Sequence, residues 1–122
     1  MEDLVRVLVV DDQAVVRNAA RTLLEATSGF QAVGEAASVV EAFTAIEELE
    51  PDLVLLDVRM PDMDGVEAAE HIRKGDRRPV VVLMSSDGRA APRSSAAAEF
   101  VHKERLKPSL LRQLWARHAP SA

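Results

Sequence analysis

Val54-Leu55-Leu56-Asp57-Val58-Arg59-Met60-Pro61-Asp62-Met63-Asp64-Gly65 (VLLDVRMPDMDG, 54–65) decides how this 122-residue chain is read. It opens as an apolar run too short for a helix and closes that run on Asp57. Near the N-terminus Val7-Leu8-Val9-Val10-Asp11-Asp12 (VLVVDD) does the same, and a third run, Val80 to Met84, is followed by Ser85. Near-continuous apolar runs rich in β-branched residues, without polar alternation, are what parallel strands covered on both faces require. Strands that stop on polar side chains bring those side chains to one edge of a sheet.

Between the strands the spacing predicts helices. Residues 13–27 place Val15/Val16, Ala19/Ala20 and Leu23/Leu24 on one stripe, stopped by Ser28-Gly29. Ser38 with Glu41 forms a capping box that opens a helix burying Val39, Ala42, Phe43, Ile46 and Leu49 and closed by Pro51. Asp64 caps a third, with Val66, Ala69 and Ile72 inward and Gly75 at its end; Pro108 starts a last helix carrying Leu110, Leu111, Leu114 and Trp115. Strands are expected at Val5–Val10, Leu53–Leu56 and Val80–Met84, with weaker ones at Gln31–Ala36 and Glu99–His102. Alternating strand and helix predicts a three-layer doubly wound α/β domain whose right-handed crossovers put every strand's carboxyl end on one edge. Asp11, Asp12, Asp57, Ser85 and Lys103 all fall there.

The domain is expected over residues 1–118, with 119–122 a terminus or the start of a linker. With no cysteine, disulfides and thiolate metal sites are excluded and a cytoplasmic home is expected. The balance of 15 basic against 20 acidic residues, net -5, lacks the basic run that tracks a nucleic-acid backbone, so direct nucleic-acid binding by this segment is not expected. Nor is a membrane span.

Acids crowded at a sheet edge repel, at roughly 4 kcal/mol for unit charges about 4 Å apart in an effective dielectric of 20. Raised pKa values would relieve this, and so would a hard divalent ion with oxygen ligands, which is the habit of Mg²⁺. The metal is the favoured reading. Singly, each residue has a plainer role: Asp11 or Asp12 as an N-cap, Asp57 as a turn residue, Ser85 as a cap, Lys103 as a solvated lysine. Together they converge on the crevice where open α/β sheets bind ligands.

The acid pair after the first strand, LLDVRMPDMDG around the third, Ser85-Ser86 after the fourth and FVHK at the fifth resemble the receiver domain of bacterial two-component response regulators, and DDQAVVRNAARTLLE (11–25) with Glu104 after Lys103 resembles receivers of the LuxR or NarL kind. The resemblance spans nearly the whole chain. It implies a flavodoxin-like (βα)5 fold with strand order 2-1-3-4-5 and a phosphoryl switch that is not an enzyme acting on other molecules. Asp57 would accept a phosphoryl group from a sensor histidine kinase; Asp12, Asp57 and the Arg59 carbonyl would bind Mg²⁺ directly, and Asp11 mainly through water. Ser85 and Lys103 would take the phosphoryl oxygens. Phe100 holds the place of an aromatic that rotates inward on switching, with simple core packing the equal alternative for a ring lacking a hydroxyl. The resemblance also implies control of transcription through an output domain outside these residues, and a homodimer as a candidate assembly.

Two features depart from the family pattern. Arg59 and Asp87 sit at the positions that tune hydrolysis of the acyl phosphate, and their opposite charges point to a pair across the pocket mouth and a long phosphoryl lifetime. The segment Ser86 to Phe100 is too short for the usual fourth helix, leaving one or two turns at Arg93 to Ala97 or a solvated stretch. A degenerate receiver that binds proteins without phosphate is therefore the alternative. A haloacid dehalogenase-type phosphatase would carry an acid two residues after its nucleophile, where this chain has Arg59.

Overall fold

The computed structural model describes residues 4–86 and 96–120. In chain order it contains β1 (Val5–Val10), α1 (Ala14–Glu25), β2 (Phe30–Ala36), α2 (Val39–Leu49), β3 (Leu53–Asp57), α3 (Gly65–Lys74), β4 (Val80–Ser85), β5 (Glu99–His102), a 3₁₀ turn (Lys103–Arg105) and α4 (Pro108–His118). All strand pairs are parallel, in the order β2-β1-β3-β4-β5. The three-layer fold read from the sequence, and the strand order its resemblance implied, are both found.

The apolar runs are explained by the two layers they serve. Leu8, Val10, Val54, Leu56, Val81 and Leu83 join α2 residues Val39, Ala42 and Ile46 and α3 residues Ala68, Ala69 and Ile72 in one cluster. Their neighbours Val7, Val9, Leu53, Leu55, Val82 and Met84 face the other way, onto Ala20 and Leu24 of α1 and Leu111 and Leu114 of α4. Side chains alternate across a strand, so only a continuous apolar run feeds cores on both faces.

β3 and β4 each run one polar residue past their expected ends. Asp57 and Ser85 are the last paired residues of β3 and β4, opposite Met84 and His102. The ladder therefore fixes their backbones. Neither Asp11 nor Asp12 caps α1; Gln13 occupies that position with no side-chain bond. Ser38 does cap α2, its hydroxyl accepting from the Glu41 N–H at 3.1 Å, but the Glu41 carboxylate answers at the Ala37 N–H, 3.3 Å away, one residue earlier than a capping box requires. Asp64 caps α3 through the Val66 N–H at 2.8 Å. Phe43, Leu49, Val66, Leu110 and Trp115 pack against the cores from partly buried positions.

The expected turns at Arg93 to Ala97 lie largely outside the described residues. Residues 96–98 form a bend, and the Ala98 N–H donates to the Val81 carbonyl at 2.8 Å, so pairing with β4 starts immediately before β5. No helix among the described residues is long and apolar enough to cross a membrane.

Candidate functional site

Asp11 directly follows β1, and its N–H donates to the Ala36 carbonyl at 3.1 Å, closing the last rung of the ladder with β2. Its side chain is wholly buried. Oδ1 accepts from the Gln13 N–H at 2.9 Å and Oδ2 from the Lys103 ammonium at 2.6 Å. Asp57, 7% exposed, accepts from the Arg59 N–H at 3.2 Å through Oδ1 and from Lys103 at 3.3 Å through Oδ2. Asp12 is exposed. One ligand oxygen from each of Asp11, Asp12 and Asp57 lies within 4.8 Å of the other two. Ser85 is buried at the end of β4, and Lys103 begins the turn after β5. The single ammonium thus reaches across β4 to acids on both β3 and β1.

Burial pushes the Asp57 carboxyl above its ordinary value, and the charge of Asp11 adds to this; the Arg59 amide and the Lys103 charge oppose it without cancelling it. For Lys103 burial works against the charge, but the hydrogen bond to Asp11 and the charges of Asp57 and Asp11 outweigh it and hold the ammonium above its ordinary value. Lys103 is therefore a fixed cation and no proton acceptor. It lies closer to Asp11 than to Asp57, so Asp57 is the less compensated of the two buried acids. Counted formally, three carboxylates against one ammonium leave two negative charges at the pocket. Opposite oxygen ligands of Mg²⁺ stand about 4.2 Å apart. An all-oxygen set within 4.8 Å, one member open to solvent, fits that ion in both size and chemistry.

Among the described residues the one glycine with positive φ is Gly29, so Gly65 answers no demand of backbone angle. Gly65 is needed for room instead. A Cβ there would stand 2.6 Å from the Val58 Cα and 2.9 Å from the Asp57 carbonyl oxygen, both backbone atoms. Arg59 is exposed at the mouth of the site, and Asp87, its expected partner, lies outside the described residues. Phe100 is partly buried against the α2/α3 core, its ring edge-on to His102 at 5.8 Å.

Sequence reasoning missed two supports. Arg17 donates through Nη1 to the Asp11 carbonyl at 2.7 Å while its Nε pairs with Glu35 at 3.1 Å; Arg21 also pairs with Glu35, fastening α1 to β2 beside the acids. Asp62 accepts from the N–H groups of Val39 and Val40 on α2. The pairs on Glu35 and Asp62 join residues 14 to 23 positions apart, and no local spacing announces them.

A family model described as the response regulator receiver domain matches residues 7–116. The chain belongs to that family. Among solved structures, this receiver is similar to the signal receiver domain of the putative response regulator NarL from Mycobacterium tuberculosis, with a TM-score of 0.84 and 30% identity over 95% of this chain and 97% of that one. It is also similar to the response regulator domain of Thermotoga maritima CheB (0.81, 28%, covering 96% and 99%). A chain of the CheX-CheY-BeF3-Mg²⁺ complex from Borrelia burgdorferi scores 0.77 at 25% identity, covering 92% and 87%. Among curated relatives, a protein-glutamate methylesterase/protein-glutamine glutaminase from Agrobacterium fabrum is 41% identical over 100 residues, which is 82% of this chain but 28% of that protein. The transcriptional regulatory protein YdfI from Bacillus subtilis is 38% identical over 78 residues, 64% of this chain and 37% of that protein. The receiver thus spans well under half the length of these relatives.

Proposed function

We propose that this receiver accepts a phosphoryl group on Asp57 from the phosphohistidine of a sensor histidine kinase, in a Mg²⁺-dependent reaction, and acts as a signalling switch. The observation that carries the reading is the buried, under-compensated Asp57 at a strand end beside two further acids and one shared lysine. An Asp57 oxygen attacks phosphorus, the P–N bond of the donor breaks, and the departing imidazole takes up a proton. Asp11, Asp12, Asp57 and the Arg59 carbonyl would hold the ion, which when bound offsets the charge that builds on the phosphoryl oxygens. Lys103 supplies fixed positive charge to the same oxygens, and Ser85 lies at the neighbouring strand end as a hydroxyl donor. The product carries about 1.5 to 2 negative charges at neutral pH where the carboxylate carried one, which favours drawing the Lys103 ammonium from Asp11 toward the new group.

The test is incubation with Mg²⁺ and acetyl phosphate followed by intact-mass measurement. One stoichiometric phosphoryl adduct that Asp57→Asn abolishes is expected. No adduct at saturating donor would leave the phosphate-independent binding module in its place, and continuous turnover of phosphate esters would make the protein an enzyme.

For the output, control of transcription is the reading drawn from the sequence, and similarity to NarL and YdfI supports it. Control of a methylesterase is the second reading, favoured by the 41% identity to the Agrobacterium protein. Phosphorylation-dependent change in DNA binding, or in methyl-ester hydrolysis, by the natural protein decides between them.

A further inference from the structure

Asp62 stands between the acceptor and the cap of α3, and neither role absorbs it. Its side chain is exposed, yet both carboxylate oxygens are engaged: Oδ1 accepts from the Val39 N–H at 2.9 Å and Oδ2 from the Val40 N–H at 3.1 Å. These amides begin α2, more than twenty residues earlier in the chain. That helix end already has a local cap in Ser38 and Glu41. A second acid arriving from a different loop does something a self-capped helix does not need.

It ties the loop from Val58 to Asp64. One end of that loop is held by the Val58 N–H on the Met84 carbonyl at 2.9 Å, and the other by the Gly65 N–H on the Val58 carbonyl at 2.8 Å and by Asp64 on α3. Met60 is buried in the α2/α3 core. Between Met60 and the α3 cap, Met63 packs against the same core and Arg59 bridges Asp64, and Asp62 adds the hydrogen-bonded tie to α2. Three residues before it, Arg59 offers its N–H to Asp57 Oδ1, so the placement of this loop sets the placement of that amide and of the adjoining carbonyl.

We infer that Asp62 is a positioning residue for the acceptor site: by bridging the Val39 and Val40 amides it latches the Val58–Asp64 loop to α2 and keeps the Arg59 backbone set against Asp57. This rests on the function proposed above, and it goes beyond it by adding α2 to the supports of the acceptor. The bond from the Val39 amide, with that from Val40, holds the Asp62 carboxyl below its ordinary value, so the latch stays charged at neutral pH. A carboxylate at a helix N-terminus is also favoured by the helix dipole.

The experiment compares Asp62→Ala, Asp62→Asn and Ser38→Ala in the whole chain. Ser38→Ala removes a cap from the same helix end without touching the loop. Four quantities are read: thermal midpoint, Mg²⁺ affinity by calorimetry, the rate of Asp57 phosphorylation by acetyl phosphate, and hydrogen exchange at the Arg59 amide. Asp62→Ala and Ser38→Ala should lower the midpoint comparably. Only Asp62→Ala should weaken Mg²⁺ binding about tenfold, the lower end for loss of a group supporting a metal ligand, slow phosphorylation and speed Arg59 exchange. Asp62→Asn keeps one acceptor oxygen and should recover part of each, and it carries the test should the alanine variant not fold. Wild-type affinity and Arg59 exchange in the Asp62 variants, or all the same losses in Ser38→Ala, would overturn the latch. Failure of the wild type to take up phosphoryl overturns the proposed function instead, and Arg59 exchange then decides the latch by itself.

Discussion

The two ends of the sheet carry charge in opposite ways. At the amino ends of β3 and β4, Arg77 pairs with Glu47 and Glu50, and the Arg6 N–H donates to the Asp52 carboxylate, all in exposed surroundings. At the carboxyl ends, Asp11 is fully buried, Asp57 nearly so, and one lysine serves both. Exposed pairs are screened by water and contribute little, whereas a buried charge is tolerable only while its partner stays. Burial, and not the number of charges, is what gives the carboxyl end its capacity for chemistry.

The largest effect expected from that contrast is at Lys103. Lys103→Ala strands the buried Asp11 carboxylate and should destabilise the metal-free protein by about 3–5 kcal/mol in urea unfolding, the range for breaking a buried pair, with saturating Mg²⁺ narrowing the loss. An equal loss with and without Mg²⁺ would show that the ion does not share this charge. Next comes Gly65→Ala, whose Cβ meets the Val58 and Asp57 backbone; overpacking there should remove about 1–3 kcal/mol and slow phosphorylation. Gly29→Ala tests a different cause, since its Cβ meets open space but its φ is +90°, and it should leave phosphorylation unchanged.

Asp57→Asn should have the opposite sign. The folded protein binds the Asp57 proton more tightly than the unfolded chain does, so this group's contribution is fully favourable below the ordinary value of 3.8 and is lost as pH rises through its raised folded value. The asparagine variant should therefore melt higher than wild type at pH 7 without metal, with the difference disappearing on acidification below 3.8. A constant difference across that window would sink the assignment to titration of Asp57. The smallest effect is at the other end of the sheet: Arg77→Ala should change stability by less than about 1 kcal/mol and leave Mg²⁺ affinity untouched.

Much of this was legible without coordinates. Val5–Val10 and Glu99–His102 were read with the bounds they have, because a strand buried on both faces admits apolar residues in unbroken runs and polar ones at its ends. The same rule placed Asp11, Asp57, Ser85 and Lys103 at one edge. Ser38 and Asp64 cap the helices they are expected to cap, because caps are local, set by residues two or three apart, although the Glu41 half of the expected box engages the Ala37 N–H instead of the Ser38 N–H. The capping reading of Asp11 failed for the converse reason: its oxygens were claimed by Gln13 and by Lys103, the latter 92 residues away. The need for Gly65 is invisible in sequence, because only the folded loop brings the Val58 and Asp57 backbone over it.

The sequence by itself determined the alternation of elements, the sheet that joins them and the kinds of side chain at its carboxyl edge, because burial imposes those patterns residue by residue along the chain. Tertiary structure alone decided which acid Lys103 favours, that Arg17 grips the Asp11 carbonyl, and that Asp62 caps a helix it does not belong to. Those contacts depend on distances between strands and loops brought together by packing, and their strength comes from a low-dielectric interior that exists only once the two cores have closed.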